Sequence, residues 1–243
     1  MTAQRSRSWR GPTGRPGPVP WTRLLRADVL AVAFAVPVAV LAMLVRAEGG
    51  PVVRVDEDVI RAATDLTRSE PALRTVLVGW QAAFQAVWVN LVVAGLCVWV
   101  WRRHGLRDRA LWAFSTVMVA WGLALGLKYL VRRARPVVEE AVELAPGYSF
   151  PSGHVANTTT AACAVVVLLW PVLGMRGRVL AVTTGVALVL LTAADRVLLG
   201  VHYPSDAVAG TAFGVALVAA AHHGFVAAGR TARERTTARE GRS

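Results

Sequence analysis

Two histidines and one carboxylate carry the reactive chemistry of this sequence. His202 is followed four residues later by Asp206. At that spacing the carboxylate can hold one ring nitrogen and leave the other free, the logic of a base and its orienter. His154 is a second imidazole able to titrate near neutral pH. It closes the run Pro151-Ser152-Gly153-His154 ahead of an apolar stretch, which reads as a helix start. Pro suits a first turn, and Ser and Gly supply a hydroxyl and backbone N–H groups with little bulk. A helix N-terminus binds anions. Lys128, Arg133, Arg135 and Arg196 add positive charge at the ends of apolar runs. The Arg fork fits phosphate oxygens, and Lys adds a point charge. Of the 27 basic residues, Lys128 alone is lysine, which argues for a local need at that position. These clusters contain no Cys, no HExxH-type pair and too few carboxylates for a hard-metal cage. No metal and no cofactor is expected.

The elements that position these groups are apolar. Of the 243 residues, 55% are hydrophobic and 17% charged, and the mean hydropathy is +0.47. A soluble domain carries about 25% charge, so the solvent for most of this chain is a bilayer. The net charge of +12 does not point to nucleic acid, because the basic residues sit in short blocks between long apolar runs. Cys97 and Cys163 lie inside such runs and read as small buried hydrophobes. Six runs are long enough to be crossings, at about 27–45, 76–101, 110–131, 155–173, 179–201 and 207–221. Pro37 is a candidate bend in the first. Residues 1–22 read as a disordered basic tail, 23–227 as the membrane domain with its chemistry in 128–206, and 228–243 as a basic cytoplasmic tail.

Segment 55–68 differs from the crossings. Val55, Val59, Ala62, Ala63 and Leu66 recur at helical spacing opposite Asp56, Glu57, Arg61, Asp65 and Arg68. This predicts an amphipathic helix, on the membrane surface or against the bundle.

Six crossings form an all-α bundle with both termini on one side. Seventeen of the 27 basic residues, with only four acids, fall in the two tails and the 102–109 and 174–178 loops. The other face holds ten basic and eleven acidic residues. The positive-inside rule places the Arg-rich face in the cytoplasm. The clusters around Lys128–Arg135, Pro151–His154 and Asp195–Asp206 then share the extracytoplasmic face of a multi-pass cell-membrane protein. Arg132 reads as a juxtamembrane anchor, and His222 and His223 as solvated interface residues.

The three clusters resemble the signature of the type 2 phosphatidic acid phosphatase superfamily, K-x6-R-P, P-S-G-H and S-R-x5-H-x3-D. Lys128 with Arg135-Pro136 matches the first part, 151–154 the second, and Arg196, His202 and Asp206 the third. The resemblance covers about 75–220 and implies a membrane phosphatase acting on a lipid phosphate, phosphatidate-type or undecaprenyl diphosphate-type. It implies that His202 attacks phosphorus to form a phosphohistidine, that Asp206 orients its ring, and that His154 protonates the leaving oxygen and then activates water. Lys128, Arg135, Ser152, Gly153 and Arg196 would hold the phosphate oxygens. Rival readings are a lipid phosphotransferase and a non-catalytic lipid-binding or transport protein on the same fold.

One position departs from the pattern: Asp195 stands where the family has Ser. A carboxylate about 6 Å from a bound phosphate, at an effective dielectric near 20, repels it by about 2–3 kcal/mol per unit charge. Alternatively it braces Arg196. Asp195, like Arg133, is therefore a candidate modulator of the site, with opposition slightly favoured.

Overall fold

The computed structural model describes residues 36–46, 50–137 and 145–240, without the side chains of 230–240. The expected basic tail at 1–22 and the start of the first apolar run lie outside the described residues. Every described element is a helix: α1 (Val36–Arg46), α2 (Pro51–Ser69), α3 (Pro71–Ala83), α4 (Ala86–His104), α5 (Arg107–Val131), α6 (Gly153–Leu169), α7 (Met175–Leu198) and α8 (Pro204–Glu240).

The helix α6 is the axis of the bundle and packs against α4, α5, α7 and α8. Its sequence explains this. Val155, Ala156, Thr158, Thr159, Thr160, Ala161 and Ala164 are small or slender and are buried. Small residues let backbones approach closely where lipid offers no hydrophobic drive for helix association. Gly210 and Gly214 of α8 meet α6 at the closest crossing. A Cβ on Gly214 would stand 2.8 Å from the Thr159 Cβ. On α5 the buried positions Ala110, Ala113, Val117, Ala120 and Ala124 form one stripe at helical period. Opposite faces carry exposed Leu123, Leu130, Leu190 and Leu191, as expected of surfaces solvated by lipid.

Four helices, α4, α5, α7 and the Pro204–Gly229 part of α8, are long and apolar enough to cross a membrane. A fifth arises if α1 and α2, bent by 80°, count as one span. The α6 helix is apolar but shorter, at 17 residues. The run read as one crossing at 76–101 is broken at Phe84–Gln85 into α3 and α4. No Gly or Pro marks that break. Gln85 is extended (φ −58°, ψ 144°), and its carbonyl starts the next helix by accepting from the Trp88 and Val89 amides. Trp80 stacks on Phe84 at 4.2 Å and points its indole N–H at Thr192 Oγ1 of α7, 3.3 Å away. The α8 helix outruns its apolar stretch and continues through the basic segment to Glu240. His222 is half-buried and edge-on to Trp112 at 5.4 Å, where a solvated residue was expected.

The amphipathic helix forms as α2, but the face it buries is neither the apolar stripe nor the charged one: Glu57, Arg61 and Asp65 stay exposed. Asp56, Ile60, Thr64 and Thr67 are buried, while Val55, Val59 and Leu66 are exposed. It seats against α7 and α8, and Thr67 Oγ1 donates to the Leu198 carbonyl at 2.8 Å.

Candidate active site

Three chain segments meet at one end of the bundle. The α5 helix ends with Arg132 in the left-handed conformation (φ 55°), its amide bonded to the Lys128 carbonyl at 2.9 Å. The chain then runs extended through Arg133 and Arg135. Ser149 stitches this run to the next segment: its amide donates to the Arg133 carbonyl and its hydroxyl to the Ala134 carbonyl, both at 2.9 Å. Lys128 Nζ donates to the Tyr148 carbonyl at 2.8 Å. The first two clusters are thus one hydrogen-bonded unit.

The second segment opens α6. Ser152 is the N-cap, and Pro151, expected inside the first turn, stands just before it. The Ser152 hydroxyl makes no cap bond; it and His154 Nε2 are buried with no hydrogen-bond partner among the described residues. Both polar groups are therefore free of competing bonds within the described residues. The Ser152 amide donates to the Asp206 carbonyl at 3.0 Å, which docks α6 on the first turn of α8.

The third segment carries the nucleophile candidate. His202 Nδ1 lies 3.5 Å from Asp206 Oδ2, and the opposite nitrogen, Nε2, lies 3.3 Å from Arg135 Nη1. The spacing of four brings the Asp206 carboxylate to 3.5 Å from one ring nitrogen, a contact longer than a hydrogen bond, while the other faces the cationic cluster. Burial pushes the His202 pKa down to about 4, against the nearby Asp206 carboxylate, which raises it; Lys128 and Arg135 add to the lowering. The ring is neutral at physiological pH, with a lone pair available. Arg135 is fixed on three other carbonyls, Val201 at 2.7 Å, Pro146 at 3.0 Å and Gly147 at 3.1 Å. Burial lowers the pKa of its guanidinium from the usual arginine value. Lys128, Arg135, Arg196 and His202 all lie within electrostatic reach of His154. The expected phosphate-binding and catalytic residues thus converge.

Arg133 does not join them. It turns away from the phosphate side, with its side chain 8% exposed, and Nη1 donates to Asp206 Oδ1 and Ser205 Oγ at 2.7 Å each. Its Nη2 donates to Asp56 Oδ2 at 2.7 Å, and its guanidinium stacks on Tyr203 at 4.1 Å. Asp56 and Ser205 are the members of the site that the sequence reading missed. Ser205 had a signal, being next to Asp206. Asp56 had none, because one carboxylate among several on a polar helix face looks solvated.

A match to the model of the PAP2 superfamily spans residues 109–230. The chain belongs to the PAP2 superfamily. It is 38% identical over 113 residues to a decaprenylphosphoryl-5-phosphoribose phosphatase of Mycobacterium tuberculosis, covering 44% of this chain and 58% of that one. A protein of the same name from Mycolicibacterium smegmatis is 36% identical over 132 residues, covering 51% and 63%. The chain therefore matches under two thirds of these relatives' length. The crystal structure of a transmembrane PAP2-type phosphatidylglycerolphosphate phosphatase from Bacillus subtilis superposes with a TM-score of 0.65 at 21% identity, over 88% of this chain and 96% of that one. The fold is that of a transmembrane PAP2 protein.

Within this PAP2 site Asp195 pairs with Arg196. Its Oδ2 accepts from Arg196 Nε at 2.8 Å and from Nη2, and both residues are 2% exposed. The geometry is the hydrogen-bonded pair of the bracing alternative. A hydrogen bond to a charged group contributes about 1.5–3 kcal/mol. Asp195→Ser is therefore expected to lower kcat by roughly tenfold to a hundredfold. Steady-state kinetics on a lipid monophosphate check this. A lower KM with undiminished kcat would instead mean that the carboxylate opposes the substrate.

Proposed function

We propose that the chain is a membrane phosphatase that releases phosphate from a lipid-linked phosphate monoester through a phosphohistidine at His202. One observation carries the reading: Nε2 of a neutral His202 faces Arg135, while Nδ1 is backed by Asp206. A phosphate held by Arg135, Lys128, Arg196, Ser152 and Gly153 puts phosphorus in front of that lone pair. In-line attack forms the P–N bond as the ester P–O bond breaks. His154 takes up a proton as the phosphate anion offsets the cations around it, gives that proton to the departing oxygen, then takes one from the water that cleaves the P–N bond. Such proton transfer contributes typically 10²–10⁴-fold, and the fixed donors stabilise charge on the transferring phosphoryl group.

The relatives' name and the room beside the site favour a hydroxyl-bearing head group. A cavity of about 570 Å³ adjoins Arg135 and Tyr203 and is lined by Glu57, Thr64 and Asp65 of α2. Carboxylates and a hydroxyl suit sugar hydroxyls. Protein purified in detergent is expected to release phosphate faster from decaprenylphosphoryl-5-phosphoribose than from phosphatidate, phosphatidylglycerophosphate or undecaprenyl diphosphate. Failure to release phosphate from any of them contradicts the phosphatase reading.

The site faces out of the cytoplasm, on a six-crossing bundle with cytoplasmic termini. The α5 helix separates the site from Arg102, Arg103, Arg107 and Arg109 by its 25 residues, about 37 Å at 1.5 Å each. The α4–α5 turn that bears those arginines is the cytoplasmic side. A cysteine at Val137 is expected to react with an impermeant thiol reagent in intact cells, and one at Gly105 to stay unlabelled. The reverse pattern inverts the topology.

A further inference from the structure

We infer that Asp56 is a positioning residue for the nucleophile His202, acting through Arg133 and Asp206, and that α2 is thereby a working part of the active site. Asp56 lies outside the family match at 109–230 and outside all three clusters that the sequence singles out. The inference rests on the proposed role of His202.

The chain of contacts is continuous and buried. Asp56 is 2% exposed. Its Oδ2 accepts from Arg133 Nη2 at 2.7 Å and from the Ser205 hydroxyl, and its Oδ1 accepts from the Ser205 amide at 3.0 Å. The other end of the same guanidinium grips Asp206 Oδ1, as described above. Asp206 Oδ2 is then left for the Tyr203 amide at 3.0 Å and His202 Nδ1 at 3.5 Å. Each carboxylate thus presents one oxygen to Arg133 and the other to the 202–205 turn. Tyr203 covers the guanidinium face, so the fork cannot rotate.

The second carboxylate has an electrostatic use. Arg133 alone would cancel the charge of Asp206. With Asp56 the three groups carry a net single negative charge. That charge meets the positive imidazole that forms as His202 takes up phosphorus. A buried guanidinium with half its fork empty is also strongly unfavourable; it would pull on Asp206 and turn the ring that Asp206 holds. Among the described residues, the other groups acting on His202 are basic: Lys128 from α5, Arg135 from the following segment and His154 from α6, with Arg196 of α7 bonded through its carbonyl to the His202 amide. Glu57, Asp56 and Asp206 all act on Tyr203, which covers the Arg133 guanidinium.

Asp56→Asn is expected to lower kcat about tenfold to a hundredfold, the loss of one charged hydrogen bond, and to leave KM within about twofold because no phosphate contact changes. Loss of a negative charge makes protonation of His202 harder. The acid limb of kcat/KM and the ring titration of His202 followed by NMR both move to lower pH. Asp56→Glu restores part of kcat. The double variant Asp56→Asn, Arg133→Gln loses no more than Arg133→Gln alone, because the two act in series. Thr67→Val is the control for seating of α2: it removes the bond to the Leu198 carbonyl and no charge, and both pH readings stay in place. The inference is overturned if Asp56→Asn matches Thr67→Val in kcat and in the His202 titration, or if its loss only follows unfolding. The ring titration needs no turnover. An unshifted titration counts against Asp56 alone, whereas a shifted one in a wild type that cleaves no lipid phosphate counts against the phosphatase reading alone.

Discussion

Replacing His202 with alanine is expected to cut phosphate release by about 10⁴-fold or more, the scale seen when a covalent nucleophile is removed. No other group can take over. His154 stands on α6, two residues past its N-cap Ser152, whereas His202 lies in the turn before α8. His202 faces Arg135 with Nε2 and has Asp206 behind its other nitrogen, Nδ1. Substrate binding is expected to survive, because Lys128, Arg135, Arg196 and Ser152 remain in place. His154→Ala behaves differently. The first step loses its acid and the second its base, so turnover falls, but a substrate with a good leaving group still phosphorylates His202. Phosphate release by the two variants, measured on a lipid monoester and on an activated aryl ester, separates these roles. Wild-type rates from the His202→Ala protein would remove the nucleophile assignment.

The second large effect lies away from the chemistry. Gly210→Ala adds one carbon, which would stand 2.8 Å from the Ser152 carbonyl oxygen and 3.1 Å from the Ala156 amide. Both are backbone atoms of the α6 N-terminus, so neither can swing aside. The helix must lift off α8, straining the bond from the Ser152 amide to the Asp206 carbonyl and displacing the N-cap hydroxyl. Overpacking of this kind costs about 1–3 kcal/mol, offset by about 1 kcal/mol of helix propensity gained. The net fall in thermal stability is therefore modest, but kcat is expected to drop about a hundredfold because a misplacement near 1 Å costs that much in a positioned site. Gly224→Ala on the same helix is the comparison. Nothing lies within 4 Å of its added carbon, and it is expected to leave kcat unchanged and stability equal or slightly higher. Equal activity in the two variants would mean that the α6–α8 crossing does not set the phosphate site.

The residues of the candidate site could be picked out from the sequence because each part is local. A spacing of four puts Asp206 behind His202, and a Pro-Ser-Gly-His run opens a helix wherever an apolar stretch follows. The all-helical, membrane-type fold was legible for a similar reason, since apolar runs of crossing length need no tertiary information. The partners of Arg133 were not, because they come from α2 and from the turn before α8. The sequence shows an arginine between two others, and only packing reveals which one leaves the phosphate. Asp56 was hidden because α2 buries a face between its apolar and charged stripes. Asp56, Ile60, Thr64 and Thr67 are buried, while Val55, Val59 and Leu66 face out together with Glu57, Arg61 and Asp65. The break at Phe84–Gln85 was illegible because neither Gly nor Pro produces it. Asp195 was ambiguous from sequence because a neighbour of Arg196 can brace it or oppose its ligand; the rotamers decide between these, and they form the pair.

The most direct test is to trap the intermediate. The protein is mixed with a ³²P-labelled lipid monophosphate, quenched in alkali within milliseconds, and digested for mass spectrometry. The phosphohistidine reading predicts an acid-labile, alkali-stable label on the peptide that contains His202, absent from His202→Ala and increased in His154→Ala when the leaving group is good. Label on any other residue, or phosphate release from wild type at full rate with no labelled protein at any quench time, contradicts it.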